Sequence, residues 1–188
     1  MAYLDDSIAE LKIFEGNVPW MYLDTNGYVT VGVGEMLATA ARAQSLGFVD
    51  ISNQPATADA ILAEYQRVAA LAAGKGKDFY RSPTSPTLPQ ATIDVILLQH
   101  LIFFDGQLQQ RFAKYPNFPD PAKLGLLDMI FNLGPAKLFN TYPHFMGYVQ
   151  NQDWANAATE CYRNGPSAER NDWTKQQFLA AAEEIAGG

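Results

Sequence analysis

The chain has 188 residues, is 48% hydrophobic and carries a formal charge of −7 from 20 acidic and 13 basic residues. Apolar content of this size fits one packed domain or two small lobes sharing a core, and excludes a disordered chain. The scattered basic residues exclude a nucleic-acid surface, which needs clustered Lys and Arg to displace counterions, and the single cysteine, Cys161, excludes an internal disulfide framework and reads as a small buried residue.

Residues 4–15 place Leu4, Ile8, Leu11 and Phe14 at helical spacing behind Asp5, Asp6 and Ser7, and Gly16 stops the helix with Glu15 in its last turn. The segments "WMYLD" (20–24) and "YVTVGV" (28–33) are aromatic and β-branched and flank "TNG", in which Asn-Gly favours positive φ, so they predict a β-hairpin. From 35 to 73 the pattern is helical and alanine-rich, broken near "SLGF" and "SNQP", with its last helix running from a capping Thr57 to a stop at Gly74. The proline-rich stretch 74–90 predicts a long surface loop, with "GKGK" a short exposed loop and not a binding patch.

A long helix follows at about 91–112, and its apolar run "IDVILLQHLIFF" reads as buried, being shorter than the ~20 residues that cross a bilayer. The turn "YPNFPDP" leads into "AKLGLLDMIFNLG", which ends at Gly134, and further helices are expected at about 136–150, 153–163 and 168–186. The resulting class is α+β and mostly helical, a single domain over 1–188. Its parts are a small lobe (about 17–73), the loop (74–90), and a helical lobe (91–188) that includes the N-terminal helix 4–15.

Singly, the polar residues at the front of the chain have ordinary explanations. A glutamate ends a helix, an aspartate precedes a turn and a threonine sits in a strand. Together they say more. A carboxyl group at a helix C-terminus faces the negative end of the macrodipole, which favours the protonated acid that can donate to a leaving group. A hairpin starting at once after Glu15 holds Asp24 and Thr30 on a rigid ribbon able to fold back over that helix end. Two carboxylates in unequal environments flanking a cleft are what glycoside hydrolysis requires.

The pattern E-G-x(7)-D-x-x-G-x-x-T-x-G-x-G, fixed here by Glu15, Gly16, Asp24, Gly27, Thr30, Gly32 and Gly34, resembles the active-site signature of the phage-type lysozymes, glycoside hydrolase family 24. "LLDMIFNLG" resembles that family's inner helix, and "DWANAATECYRNGPSAERN" its later helix and closing segment, while about 40–120 are largely unmatched. The resemblance implies a lysozyme-like fold, with a small N-terminal β-hairpin lobe and a larger helical lobe joined by a long central helix. It implies a muramidase that cuts the β-1,4 bond between N-acetylmuramic acid and N-acetylglucosamine of bacterial peptidoglycan with inversion. Glu15 would be the general acid, Asp24 would act with water on the opposite face of the sugar, and Thr30 would position that water. Met36, Phe131 and Asn132 would line the substrate cleft, and Arg170 would pair with Glu15.

Two departures stand out. Family members usually carry His after the Gly-x-Gly, where this chain has Glu35, and the acidic partner of that His is matched here by His100. A swapped pair, Glu35 with His100, is the expectation. The chain is also acidic where many phage lysozymes are basic, so steering toward an anionic wall is expected to be weak or local. Competing readings are a silent peptidoglycan-binding or toxin domain of the same fold and a hydrolase of chitin-like chains.

No metal site is expected, because His100 and His144 have no neighbouring Cys or Asp at ligand spacing. "GVGEML" (32–37) lacks the third glycine of a phosphate loop, and no cofactor is expected. Expected partners are peptidoglycan strands and an immunity or inhibitor protein, with no nucleic acid, no membrane insertion, and a monomeric state. The N-terminal "MAYLDDSIAE" shows no secretory signal, so the expectation is synthesis in the cytoplasm followed by release or secretion to the wall, in a phage endolysin or a bacterial antimicrobial effector.

Overall fold

A computed structural model describes residues 2 to 187. Among the described residues are nine α-helices and one three-stranded antiparallel sheet, an α+β and mostly helical architecture. The chain divides into two compact units, one of Leu11–Leu97 and one of Met1–Glu10 with Leu98–Gly188.

The unit of residues 11–97 contains the end of α1 (Ala2–Glu15), strands β1 (Val18–Leu23), β2 (Val29–Gly32) and β3 (Glu35–Met36), helices α2 (Ala40–Gln44) and α3 (Ala58–Ala69), and the start of α4 (Gln90–Arg111). The hairpin expected at 20–24 and 28–33 is present with shifted bounds, and β3 extends it where a helical pattern was read from residue 35. The turn also differs from the expected one. Thr25, Asn26 and Gly27 form a three-residue loop in which only Gly27 has positive φ, 83°. Its amide donates to the Asp24 carbonyl at 3.1 Å, which is the type I turn plus left-handed residue typical of such loops.

Thr57 caps α3 as expected, its hydroxyl accepting from the Ala60 amide, but the helix stops at Ala69, short of Gly74. Tertiary contact explains the early stop, because the Tyr80 hydroxyl takes the Ala72 carbonyl at 3.0 Å, a group that a longer helix would have left pointing along its own axis. The same contact is one of several that anchor 74–90, which lies mostly at the surface as expected but buries a few residues. Tyr80 and Leu88 are fully buried, and Ser85 is buried with its hydroxyl donating to Glu64 Oε1 at 2.5 Å. Arg67 spans Glu64 and the Tyr80 carbonyl, and the Leu88 amide donates to the Pro19 carbonyl at 2.7 Å. Proline-rich backbone with few internal hydrogen bonds has been satisfied from outside the segment.

The other unit holds α5 (Asp120–Leu133), α6 (Pro135–Thr141), α7 (Pro143–Asn151), α8 (Trp154–Glu160) and α9 (Ala168–Gly187) with the rest of α1 and α4. The single helix expected at 136–150 is two, broken at Tyr142 (φ −119°, ψ 55°) because Pro143 removes an amide donor and crowds the residue before it. Asp153 caps α8, which ends at Glu160 and not at residue 163. Phe118 meets the buried Trp154 indole edge-on and Phe178 stacks parallel to it, at 4.8 and 6.4 Å between ring centroids, and Phe145 meets Phe178 edge-on at 5.3 Å. Cys161 is buried here, and burial pushes its thiol up to about 11.

Helix α4 is 22 residues long with a mean hydropathy of 1.2, long and apolar enough by those two measures to cross a membrane. The apolar run alone understated its length. It buries Ile93, Leu97, Leu101 and Leu108 and carries Asp94, Asp105 and Arg111, but Val95, Ile102 and Phe103 are more than half exposed, so the run is buried on one face and not throughout.

Candidate functional site

Helix α1 ends at Glu15, and Gly16 turns the chain with φ 79° into β1. The exposed carbonyl at that helix end is not left to water. Lys77 Nζ donates to the Glu15 carbonyl oxygen at 2.7 Å, a cation at the negative end of the helix. A side chain at Gly16 would have its Cβ 2.9 Å from that ammonium, so the glycine both supplies the left-handed turn and leaves room for the lysine.

Asp24 follows the last residue of β1. Its Oδ1 accepts from the amides of Asn26 (2.9 Å) and Tyr28 (2.8 Å), while its own amide donates to the Tyr28 carbonyl at 3.0 Å. One carboxylate oxygen therefore holds the turn. Oδ2 accepts no hydrogen bond among the described residues and is left for chemistry.

Strand register completes the site. Tyr22 on β1 lies opposite Thr30 on β2, and Thr30 lies opposite Met36 on β3, so the three form one cross-strand row. The Thr30 hydroxyl donates to the Tyr28 carbonyl at 3.0 Å, which uses its proton and leaves its lone pairs to accept one from water. Met36 is half exposed, at 48%.

Glu15, Tyr22, Asp24, Thr30, Lys75 and Lys77 line a single hollow of about 410 Å³, far larger than the roughly 30 Å³ a water occupies. The buried Tyr22 reports on its field. Its hydroxyl is pushed up to about 12, first by burial and then by the negative charges of Glu15 and Asp24. Both carboxylates are thus close enough to oppose a third negative charge in the same space. Lys77 sits over the Tyr22 ring at 5.0 Å and supplies the compensating positive charge.

The remaining expected residues lie on β3, α4, α5 and α9. Glu35 is buried, and its Oε1 accepts from Arg42 Nε (2.9 Å) and Nη2 (2.7 Å), a partner the sequence reading had not named. Phe131 and Asn132 are half-buried on α5, where Phe131 meets Phe104 edge-on at 5.9 Å. His100 is half-buried on α4. Arg170 is buried on α9 and donates from Nε to Asp128 Oδ1 at 2.8 Å.

Lys75 and Lys77 are the residues that reasoning from sequence overlooked. Lys75 is exposed and Lys77 half-buried, in keeping with a loop at the surface, and both also line the wall of the hollow, for which no local signal exists. Lys77 meets Glu15 across 62 positions of chain. No protein-family model matches the chain, and no curated protein matches it.

Proposed function

We propose that the chain is a muramidase of the phage-lysozyme type, hydrolysing the β-1,4 bond between N-acetylmuramic acid and N-acetylglucosamine by inversion on a lysozyme-like fold. The observation that carries this reading is one hollow lined by a helix-end glutamate, a turn-held aspartate and a threonine whose hydroxyl proton is already used. Glu15 protonates the glycosidic oxygen as the bond to the anomeric carbon breaks. Asp24, through Oδ2, takes a proton from the water attacking the opposite face, while Thr30 accepts that water's other hydrogen bond. Inversion needs the two carboxyls roughly 6.5 to 9.5 Å apart so that water fits between them. Lys77 fixes the helix end that carries the acid.

The proposal keeps peptidoglycan as substrate and includes the Arg170–Glu15 and Glu35–His100 pairs that the resemblance implies. A double-mutant cycle on Glu35 and His100 reads the second pair, and additive effects would remove it.

The deciding experiment is loss of turbidity of a cell-wall suspension with the wild type, Glu15→Gln and Asp24→Asn, each checked for folding by circular dichroism. The wild type should clear walls, and each variant should be slower by about 10²- to 10⁴-fold. A folded wild type that clears no wall preparation ends the enzymatic reading. Variants as fast as wild type would end the assignment of roles.

A further inference from the structure

A second and larger hollow of the same unit, about 550 Å³, is lined by Asp50, Ile51, Asp78, Arg81, Ser82 and Thr87 among others. None of these residues enters the reaction proposed above.

Its charged groups are held but unspent. The Arg81 guanidinium lies 4.6 Å over the Trp20 ring, and the Trp20 indole is itself fixed by donating to the Lys77 carbonyl at 3.1 Å. Stacking holds the plane of a guanidinium and leaves its edge donors open to a carboxylate in bidentate geometry. The Asp78 carboxylate accepts no hydrogen bond among the described residues, its backbone carbonyl alone taking the Arg81 amide at 3.2 Å. Asp50 uses only Oδ1, which accepts from the Ser52 and Gln54 amides at 2.8 and 3.0 Å. One open guanidinium and two carboxylates with open oxygens therefore face a common space. Beside them Ile51 is 71% exposed, an apolar surface of the size that covers a methyl group.

This mixture disfavours a neutral sugar, which needs no charge, and a polyanion, which two carboxylates repel. It suits a short peptide bearing both a carboxylate and an ammonium, with small apolar side chains between. Position narrows the choice. The turn from Lys77 to Arg81 is the common wall of the two hollows, with Lys77 lining the catalytic hollow and Asp78 and Arg81 the second one. Cα atoms of adjacent residues are about 3.8 Å apart, and an extended peptide covers about 3.3 Å per residue. A chain of a few residues attached to a sugar in the first hollow can reach the second.

We propose that the hollow between Asp50 and Arg81 binds the stem peptide hanging from the wall glycan, with Arg81 taking a stem carboxylate and Asp78 with Asp50 taking the side-chain ammonium. The inference rests on the muramidase reading for its source of peptide, but the recognition chemistry is read separately.

Two measurements test it on the full chain. In the first, an N-acetylated tetrapeptide of L-Ala, D-Glu, L-Lys and D-Ala is titrated into ¹⁵N-labelled protein. The amides of residues 50–54 and 81–87 should shift saturably, with affinity about tenfold weaker for Arg81→Gln and for Asp78→Asn, and also weaker for the lysine-acetylated peptide. In the second, cleavage of stem-bearing glycan is compared with cleavage of glycan stripped of its stems. Arg81→Gln should lower kcat/KM about tenfold on the former, through KM, and leave the latter unchanged. Absence of shifts in that region up to about 10 mM peptide overturns the proposal, as does an Arg81→Gln defect equal on both glycans. Peptide binding by a protein that clears no walls would leave this site standing and remove only the muramidase reading.

Discussion

Two five-residue turns in the unit of residues 11–97 are built alike and line different hollows. In "DTNGY" the Asp24 Oδ1 accepts from the amides of the second and fourth residues after it, the Asp24 amide donates to the Tyr28 carbonyl, and Gly27 is left-handed. In "DISNQ" the Asp50 Oδ1 accepts from Ser52 and Gln54, the Asp50 amide donates to the Gln54 carbonyl at 2.8 Å, and Asn53 is left-handed with φ 57°. Each aspartate keeps one oxygen for a hollow. What separates them is the opposite wall. Asp24 faces a helix-end glutamate, a threonine and a buried tyrosine, whereas Asp50 faces a stacked arginine and a second carboxylate. The turn is therefore a holder, and its position in the fold assigns the chemistry.

The sharpest way to break that comparison is to neutralise both aspartates. Asp24→Asn should cost about 10²- to 10⁴-fold in wall clearance, while Asp50→Asn leaves hydrolysis of stem-free glycan unchanged. In both variants the amide oxygen still accepts at the turn, so chemical denaturation should show each within about 1 kcal/mol of wild type. Equal activity losses would mean that Asp24 is only a turn residue.

A next comparison is with a carboxylate that has no open side at all. Asp128 accepts at Oδ1 from Arg170 (2.8 Å) and at Oδ2 from Arg163 Nη2 and the Thr174 hydroxyl (both 2.6 Å), in a pocket where all four residues are buried. Asp128→Ala leaves the buried Arg163 guanidinium in low dielectric without its anion and should destabilise by roughly 3–5 kcal/mol in urea unfolding. A loss under 1 kcal/mol would show that water reaches the cluster.

Lys77→Met keeps a stem over Tyr22 but removes the charge from the end of α1. It should lower stability by about 1 kcal/mol and slow wall clearance, and Lys77→Arg should recover most of both. Failure of the arginine to rescue would assign Lys77 to substrate contact instead.

The smallest effects are electrostatic. Burial raises the Glu64 carboxyl, but hydrogen bonds from Arg67 and Ser85 together outweigh it, and the net direction is down. Because the folded carboxyl then holds its proton less tightly than the unfolded one, the stabilisation is present above the ordinary glutamate range and is lost as pH falls through the lower folded value. Glu64→Gln should flatten the acid limb of the stability profile below about pH 4.5. Ultraviolet titration supplies the last test. Tyr22, titrating near 12 in the wild type, should move toward the ordinary range in Glu15→Gln and Asp24→Asn, though only in part, because burial is the larger cause.

Much of the front of the chain was legible because its constraints are local. The stop at Gly16, the Asp24 side chain over its own turn and the hairpin all follow from interactions spanning no more than a few positions, and the four pattern glycines at 16, 27, 32 and 34 each occupy positive φ; the caps expected at Asp5, Asp6 and Ser7 instead lie inside α1, where the Ser7 hydroxyl donates to the Tyr3 carbonyl. The twin turn at Asp50 is just as local, yet the sequence shows there only a break near "SNQP" and not the turn's form. Asn53 can adopt left-handed backbone, but a residue that only tolerates it is a weaker signal than a glycine.

The sequence by itself determined most of the helices, the hairpin and which carboxylates stand at their ends, because helix spacing, capping and turn chemistry act between near neighbours. Only the tertiary structure decided that the 74–90 stretch lends Lys75 and Lys77 to one hollow and Asp78, Arg81 and Pro83 to the other, that Tyr80 and Ser85 are buried, and that Lys77 reaches the end of α1. It also paired Glu35 with Arg42 and enclosed Asp128 between two arginines. Such pairings are set by packing between segments far apart in the chain, and no spacing or propensity along one segment encodes which distant charge will be brought against it.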